Sequence, residues 1–399
     1  MKIAIVHEML IKLWGAERVL LEIMKMYPEA DVYTLMYDEK KVGLVFPKNR
    51  IHCNTPAQTL YLLTGKPRLS LPLMPASVKK IDVSDYDIVL SSSSGFAHGL
   101  FIGGRTKHIC YCHSPARYLW DATDEIQAEL WISNEKWKMK NEKWGIFGQL
   151  KKNIGGPLVR SLLVHLRKID LEASKRPTLY IANSAEVQKR IQKYYNRNSV
   201  VIWPPVDTQR FLQGQNTEDK VQNAGFIKNS ERQYYVVTSA LTPFKHVDRV
   251  IRVMSKLGVP VKIIGDGAQK EELQKIAGKN IEFLWRISDE EVAKIYTNAR
   301  GFLMPQKEDA GIAPVEAMAA GVPVFGLAQG GLLETNIDGV TGRFFSEETD
   351  ESFEKWFLEF HHEIGEGHYD TSAPLVEQSK KFDIVHFEEA FREIVRRYI

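Results

Sequence analysis

The sequence predicts an α/β fold made of two parallel-sheet domains. Short apolar runs that predict buried strands alternate with amphipathic stretches that predict helices along the whole chain. The length of 399 residues is about that of two domains and is enough for two substantial cores. An apolar content of 44% and a charged content of 26% are those of an ordinary soluble globular protein.

The charge balance and the cysteines narrow the function classes. A net charge of +3, from 53 basic and 50 acidic side chains, is too balanced to predict a nucleic-acid partner. Cys53, Cys110 and Cys112 lack metal-ligand spacing, and such an odd, sparse count indicates a reducing compartment.

We expect neither a signal peptide nor a membrane-spanning helix. Residues 1–6 predict a short strand rather than the long apolar core of a signal peptide. No run approaches the 18 apolar residues that a spanning helix needs. The expected location is the cytoplasm, with a peripheral position at the inner face of the cytoplasmic membrane left open.

The first half opens with a predicted strand, loop and helix. Residues 2–6 predict a buried parallel strand, and Gly15 opens an amphipathic helix after a loop. This turn lies at the carboxyl edge of a sheet, where open α/β sheets bind ligands. Further strands are predicted at 30–35 and 87–90, with the serine run 91–94 after the second.

Two short motifs in this half have competing interpretations. Asp85 and Asp87 spell an Asp-x-Asp metal motif, but they precede a strand rather than follow one and predict a turn. His113 lies directly beyond the predicted strand 108–112. A histidine at that edge is more often structural than catalytic, so position alone leaves its role open.

Residues 131–153 combine aromatic rings with a basic cluster. They include Trp131, Trp137 and Trp144 among six lysines. This pattern suits a membrane interface, where rings lie at headgroup depth and lysines meet anionic lipid. A solvated helical insertion whose tryptophans pack on the domain is the alternative.

The remaining elements continue the α/β alternation. A long helix is predicted at 158–174, then a strand that begins at 178 and ends in a cap for the helix 186–195. Prolines stop regular structure within 200–207. The second half predicts strands at 234–238, 261–264 and 281–289, and an amphipathic helix at 387–398.

The stretch 308–321 carries the strongest signal for a site. The apolar run 301–305 predicts a short buried strand, and a helix is predicted to begin at Ile312 or Ala313. Pro314 suits the first helical turn, where its missing N–H costs nothing. Gly311 lets the backbone approach a ligand, and the N–H groups beyond it form a site for an anion such as a nucleotide diphosphate.

Two carboxylates flank this turn. Glu308 lies in the predicted loop, and Glu316 lies in the opening turn of the helix. Their spacing alone is equally well explained by ordinary capping and compensation of the helix dipole.

The stretch resembles the Glu-x7-Glu signature of retaining glycosyltransferases of the GT-B architecture, in particular glycosyltransferase family four. The resemblance implies two Rossmann-like domains facing across a cleft. It implies that Glu308 contacts the transferred sugar and Glu316 the nucleotide ribose. The run from His113 to Trp120 resembles the His-Thr-Pro-x-Arg-Tyr-Leu-Trp run of bacterial mannosyltransferase-like members, which implies that His113 lies near the transferred sugar.

The same resemblance assigns Lys245 to the donor diphosphate, whereas the family's arginine position holds Ala240. Arginine offers a bidentate fork and permanent charge, and alanine offers neither. Three further departures are Trp14, Trp285 and Ala310. The implied donor-binding residues are Glu316, Gly311, Ile312, Ala313, Arg286 and Gly15.

The predicted domain limits are 1–200, completed by a C-terminal helix at about 380–399, and 201–379 for the nucleotide-sugar-binding domain. The implied function is retaining transfer of a hexose, foremost mannose from GDP-mannose, to a lipid-linked or oligosaccharide acceptor in the synthesis of cell-surface polysaccharide such as lipopolysaccharide. The nucleotide sugar is a co-substrate, and neither a metal nor another cofactor is expected. Peripheral membrane contact would run through 131–153.

Three alternatives stay open. A UDP-sugar could replace GDP-mannose as the donor. A hydrolase or epimerase could share the architecture, although a hydrolase's carboxylates should flank the scissile bond. The four departures, which include Trp14 and Ala240, also fit a catalytically weak or inactive nucleotide-sugar-binding subunit.

Overall fold

The computed structural model describes residues 1–121, 156–213, 228–285 and 287–398. The chain divides into two compact units, one comprising Met1–Ile202 with Phe391–Ile399 and the other Trp203–Ala390. Each unit contains a parallel sheet with helices, which confirms the predicted fold class. The aromatic and basic segment 131–153 lies outside the described residues.

The sheet of the first unit has seven strands. Their order is β3-β2-β1-β4-β5-β6-β7, and all neighbours are parallel. Because the order reverses between β1 and β4, the connections leave these two strands in opposite directions. The strands are β1 Ile3–His7, β2 Asp31–Thr34, β3 Ile51–His52, β4 Ile88–Ser93, β5 Lys107–Cys112, β6 Leu179–Ala182 and β7 Ser199–Val201.

The described helices of this unit begin at residues suited to helix termini. Thr55 and Ser184 each accept a hydrogen bond from a backbone N–H of the first turn. The α-helices are Gly15–Met26, Glu39–Val42, Pro56–Thr64, Met74–Val78, Arg117–Trp120, Gly156–Ala173 and Ala185–Tyr195. The 3-10 helices are Lys48–Arg50, Pro67–Leu73 and Ala97–Gly99.

The sheet of the second unit has six strands in the order β10-β9-β8-β11-β12-β13, again all parallel. Here the order reverses between β8 and β11. The strands are β8 Tyr234–Thr238, β9 Val261–Ile264, β10 Ile281–Leu284, β11 Ala299–Met304, β12 Val324–Leu327 and β13 Gly342–Phe345.

The described helices of the second unit surround this sheet in sequence order. The α-helices are Thr208–Gln213, Val247–Leu257, Lys270–Ile276, Asp289–Thr297, Ile312–Ala319, Leu332–Thr335, Asp350–Gly365, Ala373–Lys380 and Ile384–Arg396, with 3-10 helices at Asn229–Glu231 and Pro243–Lys245. No helix in the described ranges is long and apolar enough to cross a membrane.

The last helix, Ile384–Arg396, begins in the second unit and ends in the first. Within the first unit the ring of Phe391 lies 6.3 Å from that of Tyr111. Arg392 Nη1 donates to the carbonyl of Met26 at 3.4 Å. The final residues of the helix are therefore part of the core of the first unit.

Two predicted strand limits are wrong. Ser91, Ser92 and Ser93 belong to β4 and are buried, whereas the serine run was expected after the strand's end. Their burial is possible because each hydroxyl has a polar side-chain partner nearby. At the other site, β10 ends at Leu284 because Ser288 caps the next helix and accepts a hydrogen bond from the N–H of Glu291 at 3.2 Å.

The core of the second unit is centred on an aromatic cluster under β12. The ring of Phe325 lies 5.4 Å from Phe345, 5.1 Å from Phe353 and 5.5 Å from Phe360. All four side chains are fully buried. Edge-to-face and offset aromatic pairs add to the stabilisation that burial itself provides.

We expect Phe325→Ala to lower the free energy of unfolding by about 3–5 kcal/mol, because it leaves a cavity among these rings. Urea denaturation would measure the change. Leu358→Ala is a matched control on the helix Asp350–Gly365, since Leu358 is 47% exposed. Equal loss of stability in both variants would contradict this account of the core.

Candidate active site

The reversal of strand order in each sheet locates the candidate site residues. At such a switch point the chain leaves neighbouring strands in opposite directions, and a crevice opens at their carboxyl ends. In the second unit, β8 leads to Lys245 and β11 leads to Glu308. In the first unit, β1 ends at His7 and β4 ends at Ser93, with His113 following β5.

Lys245 and Glu308 are in direct contact in the second unit, where the Lys245 ammonium donates to Glu308 Oε1. Gln306 Nε2 donates to the same oxygen at 2.8 Å. Both members of the ion pair are mostly buried, so solvent screens their attraction less than at an exposed surface. The two residues that the sequence assigned to a transferred sugar and a diphosphate therefore meet.

The backbone of Glu308 is held by the loop after β12. Its carbonyl accepts a hydrogen bond from the N–H of Gly331 at 2.9 Å. Gly330 has a φ of +66°, and a Cβ there would lie 2.2 Å from the Glu308 carbonyl oxygen. Only glycine fits this position, and the close approach fixes the loop that carries the carboxylate.

The helix Ile312–Ala319 begins directly after this loop, at the predicted residue. Gly311 precedes it with a φ of +80°, and no side chain caps its first turn. The backbone N–H groups of Ile312 and Ala313 therefore belong to the positive end of the helix dipole. This turn is a suitable place for an anion.

Glu316 lies in the second turn of this helix and is paired with a residue that the sequence analysis missed. Arg210 Nη2 donates to Glu316 Oε1 at 3.1 Å, and Arg210 Nη1 donates to Asp289 Oδ2 at 2.7 Å. Arg210 is 106 residues from Glu316 in the sequence, so no local spacing signals the contact. Arg210 fixes the orientation of the Glu316 carboxylate.

In the first unit, a line of polar side chains joins the ends of β1, β4 and β5. His7 Nδ1 lies 3.0 Å from Ser92 Oγ, and Ser92 Oγ lies 2.7 Å from His113 Nε2. His7 Nε2 lies 3.7 Å from a carboxylate oxygen of Glu17. The order is thus Glu17, His7, Ser92 and His113.

The electrostatics of this line are set by burial and by its own members. Burial lowers the pKa of His113 to about 3, nearby His7 lowers it further, and Glu17 opposes both. Burial acts to raise the pKa of Glu17, but hydrogen bonds from His7 and the Trp14 backbone hold it below its ordinary value. Glu17 is therefore a carboxylate and His113 a neutral imidazole near neutral pH.

Glu8 follows His7 but serves the backbone. Its carboxylate accepts hydrogen bonds from the N–H groups of Phe96 at 2.7 Å and Ala97 at 2.9 Å. Burial raises its pKa, and these two bonds and two nearby histidines oppose the rise without cancelling it. Glu8 holds the turn after β4 in place.

The loop after β1 contains Trp14 and Gly15. Gly15 is the first residue of the helix Gly15–Met26, and Trp14 precedes it with 44% of its side chain exposed. Lys12 Nζ lies 3.0 Å from the centroid of the Trp14 ring. Burial lowers the pKa of Lys12 to about 8, partly offset by Glu17 and reinforced by Arg68.

The other departures from the family pattern lie in the second unit. Ala240 follows β8, and Ala310 is buried beside Gly311. Trp285 stacks on Phe283 with ring centroids 5.3 Å apart, and Lys270 Nζ lies 3.7 Å from its ring centroid. The indole is thus engaged with this unit's own side chains. Arg286 lies outside the described residues.

In the ranges that the structure covers, no three His, Cys, Asp or Glu side chains are grouped so that they could hold a metal ion. The prediction that the chemistry needs no metal remains a prediction.

Comparisons with known proteins match both halves of the chain to family models. The model described as "Glycosyltransferase Family 4" matches residues 15–210, and the model described as "Glycosyl transferases group 1" matches residues 218–365. Two Mycolicibacterium smegmatis relatives illustrate the curated matches. The GDP-mannose-dependent alpha-(1-6)-phosphatidylinositol monomannoside mannosyltransferase is 32% identical over 157 residues, and the D-inositol 3-phosphate glycosyltransferase is 25% identical over 263 residues.

These alignments cover only part of each protein. The first covers 35% of this chain and 41% of the relative, and the second covers 58% and 56%. The chain therefore spans about half the length of these curated relatives.

Solved structures resemble the whole chain at low identity. The Anabaena Alr3699/HepE complex with UDP-glucose has a TM-score of 0.69, 17% identity and 100% coverage of both chains. WaaG, a glycosyltransferase involved in lipopolysaccharide biosynthesis, has a TM-score of 0.61, 15% identity and coverage of 98% and 99%. At such identities the likeness shows the fold alone.

The neutral state of His113 predicts a pH dependence of stability. In the unfolded chain the imidazole takes up a proton below its ordinary pKa of 6.5, whereas in the folded chain it stays neutral down to about pH 3. The unfolded state therefore binds more protons between these values. The contribution of His113 is fully present above pH 6.5 and is lost as the pH falls through this window.

We expect His113→Gln to lose less stability than wild type when the pH is lowered from about 7 to about 5, as measured by urea denaturation. His362→Gln is the control, because His362 is 75% exposed and should leave the wild-type pH dependence unchanged. Identical pH dependence in wild type and His113→Gln would show that His113 is not held neutral.

Proposed function

We propose, on the premise that this chain is a glycosyltransferase of the GT-B fold, that it moves mannose from GDP-mannose onto a glycan or lipid-linked acceptor in cell-surface polysaccharide synthesis. The observation that carries the proposal is the Lys245–Glu308 pair at the switch point, next to the helix that begins at Ile312. The donor choice is supported by the relative whose name specifies GDP-mannose dependence.

The second unit would bind the donor. Lys245 and the N–H groups of Ile312 and Ala313 supply positive charge for a diphosphate. In the empty site the Lys245 ammonium is already paired with Glu308. An arriving diphosphate would compete for the ammonium and release the Glu308 carboxylate to accept hydrogen bonds from hydroxyls of the sugar.

Glu316 would bind the ribose hydroxyls of the nucleotide, with its carboxylate oriented by Arg210. A carboxylate suits this task because it accepts two hydrogen bonds without donating any. Since Arg210 also binds Asp289, the guanidinium remains anchored when the ribose approaches Glu316. Arg210 is thus a positioning residue.

Transfer would proceed with retention of the anomeric configuration. The bond between the anomeric carbon and the phosphate oxygen breaks, and the acceptor oxygen bonds to the same face of that carbon. The acceptor proton passes to an oxygen of the leaving diphosphate. Lys245 and the helix N-terminus stabilise the charge that develops on that diphosphate, in place of a metal ion.

His113 would act as a hydrogen-bonding group for the sugar or acceptor. With a pKa of about 3 it is neutral and cannot serve as a general acid near neutral pH. Ser92 fixes its Nε2 at 2.7 Å and so limits rotation of the ring. Orientation by a buried partner is what a substrate-positioning side chain needs.

The second candidate is a nucleotide-sugar-binding subunit with weak or no catalysis. Ala240 favours it, because loss of one charge-assisted contact to the diphosphate costs about 1.5–3 kcal/mol. Trp285 favours it too, since Phe283 and Lys270 already occupy contacts of its ring. A UDP-sugar donor is a variant of the first candidate.

A donor screen tests these readings. We expect GDP-mannose to raise the melting temperature more than UDP-, ADP- or dTDP-sugars, and wild type to hydrolyse it slowly without acceptor. Glu308→Gln should slow hydrolysis by about a hundredfold, because the neutral amide cannot accept the same charge-assisted hydrogen bonds.

Glu354→Gln is the matched control. Glu354 is also paired with a lysine, Lys256, but on the exposed face of the helix Asp350–Gly365. It should behave as wild type. A melting shift without hydrolysis would favour the binding subunit, and the absence of any shift in folded protein would contradict the donor site.

A further inference from the structure

One long stretch of the first unit is basic and contains no acidic residue. Residues 40–81 carry eight lysines and arginines and not a single aspartate or glutamate. The whole chain, by contrast, has 50 acidic residues in 399 and a net charge of only +3. The basic excess is therefore local to this stretch.

The same stretch exposes large apolar side chains. Leu62 and Leu63, on the helix Pro56–Thr64, are 70% and 79% exposed, and Leu69, on the 3-10 helix Pro67–Leu73, is 49% exposed. The two helices pack on each other, and Ser70 Oγ donates to the carbonyl of Ala57 at 3.0 Å. We call Leu62, Leu63 and Leu69, with the exposed Lys66 and Arg68, the leucine surface.

The loop after β1 lies on the same side of the unit. The side chain of Gln58 bonds both the N–H and the carbonyl of Tyr37, each at 2.9 Å. Leu10 in turn is hydrogen-bonded to Met36 at 2.7 Å and to Asp38 at 2.9 Å. The helix Pro56–Thr64 and the loop that leads to Trp14 are thus tied to one segment, 36–38.

This loop adds an interfacial aromatic residue to the leucine surface. Trp14 is 44% exposed and lies under the ammonium of Lys12. Arg68 is close enough to Lys12 to lower its pKa by repulsion. Leucine, tryptophan and basic groups therefore occur together at this edge of the unit.

Nearby acidic groups do not cancel the positive charge. Asp38 is paired with Lys41 at 3.0 Å, and Glu39 is paired with Lys48 at 3.4 Å. Both acidic residues precede the basic stretch and already have a lysine partner. The excess positive charge of the leucine surface is left to an external partner.

Charge and shape favour one class of partner. A second copy of the chain would place two positively charged surfaces against each other, which is unfavourable. An anionic bilayer would take up the leucine side chains, place the indole at headgroup depth and neutralise the basic groups. Each kind of residue on the surface then has a suitable environment.

We propose that the leucine surface docks this protein on anionic lipid bilayers. The proposal deepens the proposed function, and its biological meaning rests on that function, because docking would bring a lipid-linked acceptor to the carboxyl edge of the first sheet. Membrane binding itself requires neither donor nor acceptor, so it can be measured separately from sugar transfer.

The test is co-sedimentation of the full chain with vesicles of phosphatidylglycerol and phosphatidylcholine, compared with phosphatidylcholine alone. We expect binding to the anionic vesicles only, weakened by added salt. Leu62→Ser/Leu63→Ser should lower the partition coefficient by about tenfold or more, since it removes apolar groups that insert. Lys66→Gln/Arg68→Gln should weaken binding and reduce its salt dependence.

Leu358→Ser/Val385→Ser is the matched control, because these residues are 47% and 53% exposed and lie on helices of the second unit. It should bind as wild type does. Melting curves and donor hydrolysis in solution should be unchanged in every variant, which separates a docking defect from misfolding or a failed donor site.

Two results would overturn the proposal. One is the absence of wild-type binding to anionic vesicles, or equal binding by Leu62→Ser/Leu63→Ser. The other is a wild-type dimer, seen by light scattering, that this double variant converts to a monomer, because the leucine surface would then be an interface between copies.

Discussion

The arrangement of both units depends on one constraint, the reversal of strand order beside the first strand of each parallel sheet. Connections that diverge from neighbouring strands leave their carboxyl ends uncovered, and polar side chains can lie there without being buried under a helix. His7 and Ser92 meet at this place in the first unit. Lys245 and Glu308 meet at the corresponding place in the second. Two chemically different pairs are thus produced by the same topology.

Local sequence could predict the parts of the site that lie within one strand, loop and helix. The start of the helix at Ile312 follows from Gly311, Pro314 and the apolar run before them, and the structure confirms it. Arg210 could not be predicted, because its contact with Glu316 joins segments 106 residues apart. The serine run was misplaced for a related reason, since Ser92 is stable inside a buried strand only through His7 and His113, which come from other strands.

The acidic groups of the second site are paired with basic groups in the same unit. Glu308 is in contact with Lys245, and Glu316 with Arg210. A buried charge without a partner is costly, so these pairs allow the carboxylates to be partly buried without raising a large electrostatic penalty. Ligand binding at such a site is an exchange of partners, and its selectivity depends on whether a ligand offers each released charge a replacement of the right geometry.

The path of the last helix has a consequence for the order in which the protein forms on the ribosome. Most of the first unit is synthesised early, but Phe391 and Arg392, which pack on Tyr111 and the end of the helix Gly15–Met26, are made only after the whole second unit. The first unit must therefore wait in an incomplete state, with part of its apolar interior uncovered, throughout the translation of the second. Release of the finished chain, rather than emergence of the first sheet, is the event that allows this core to close.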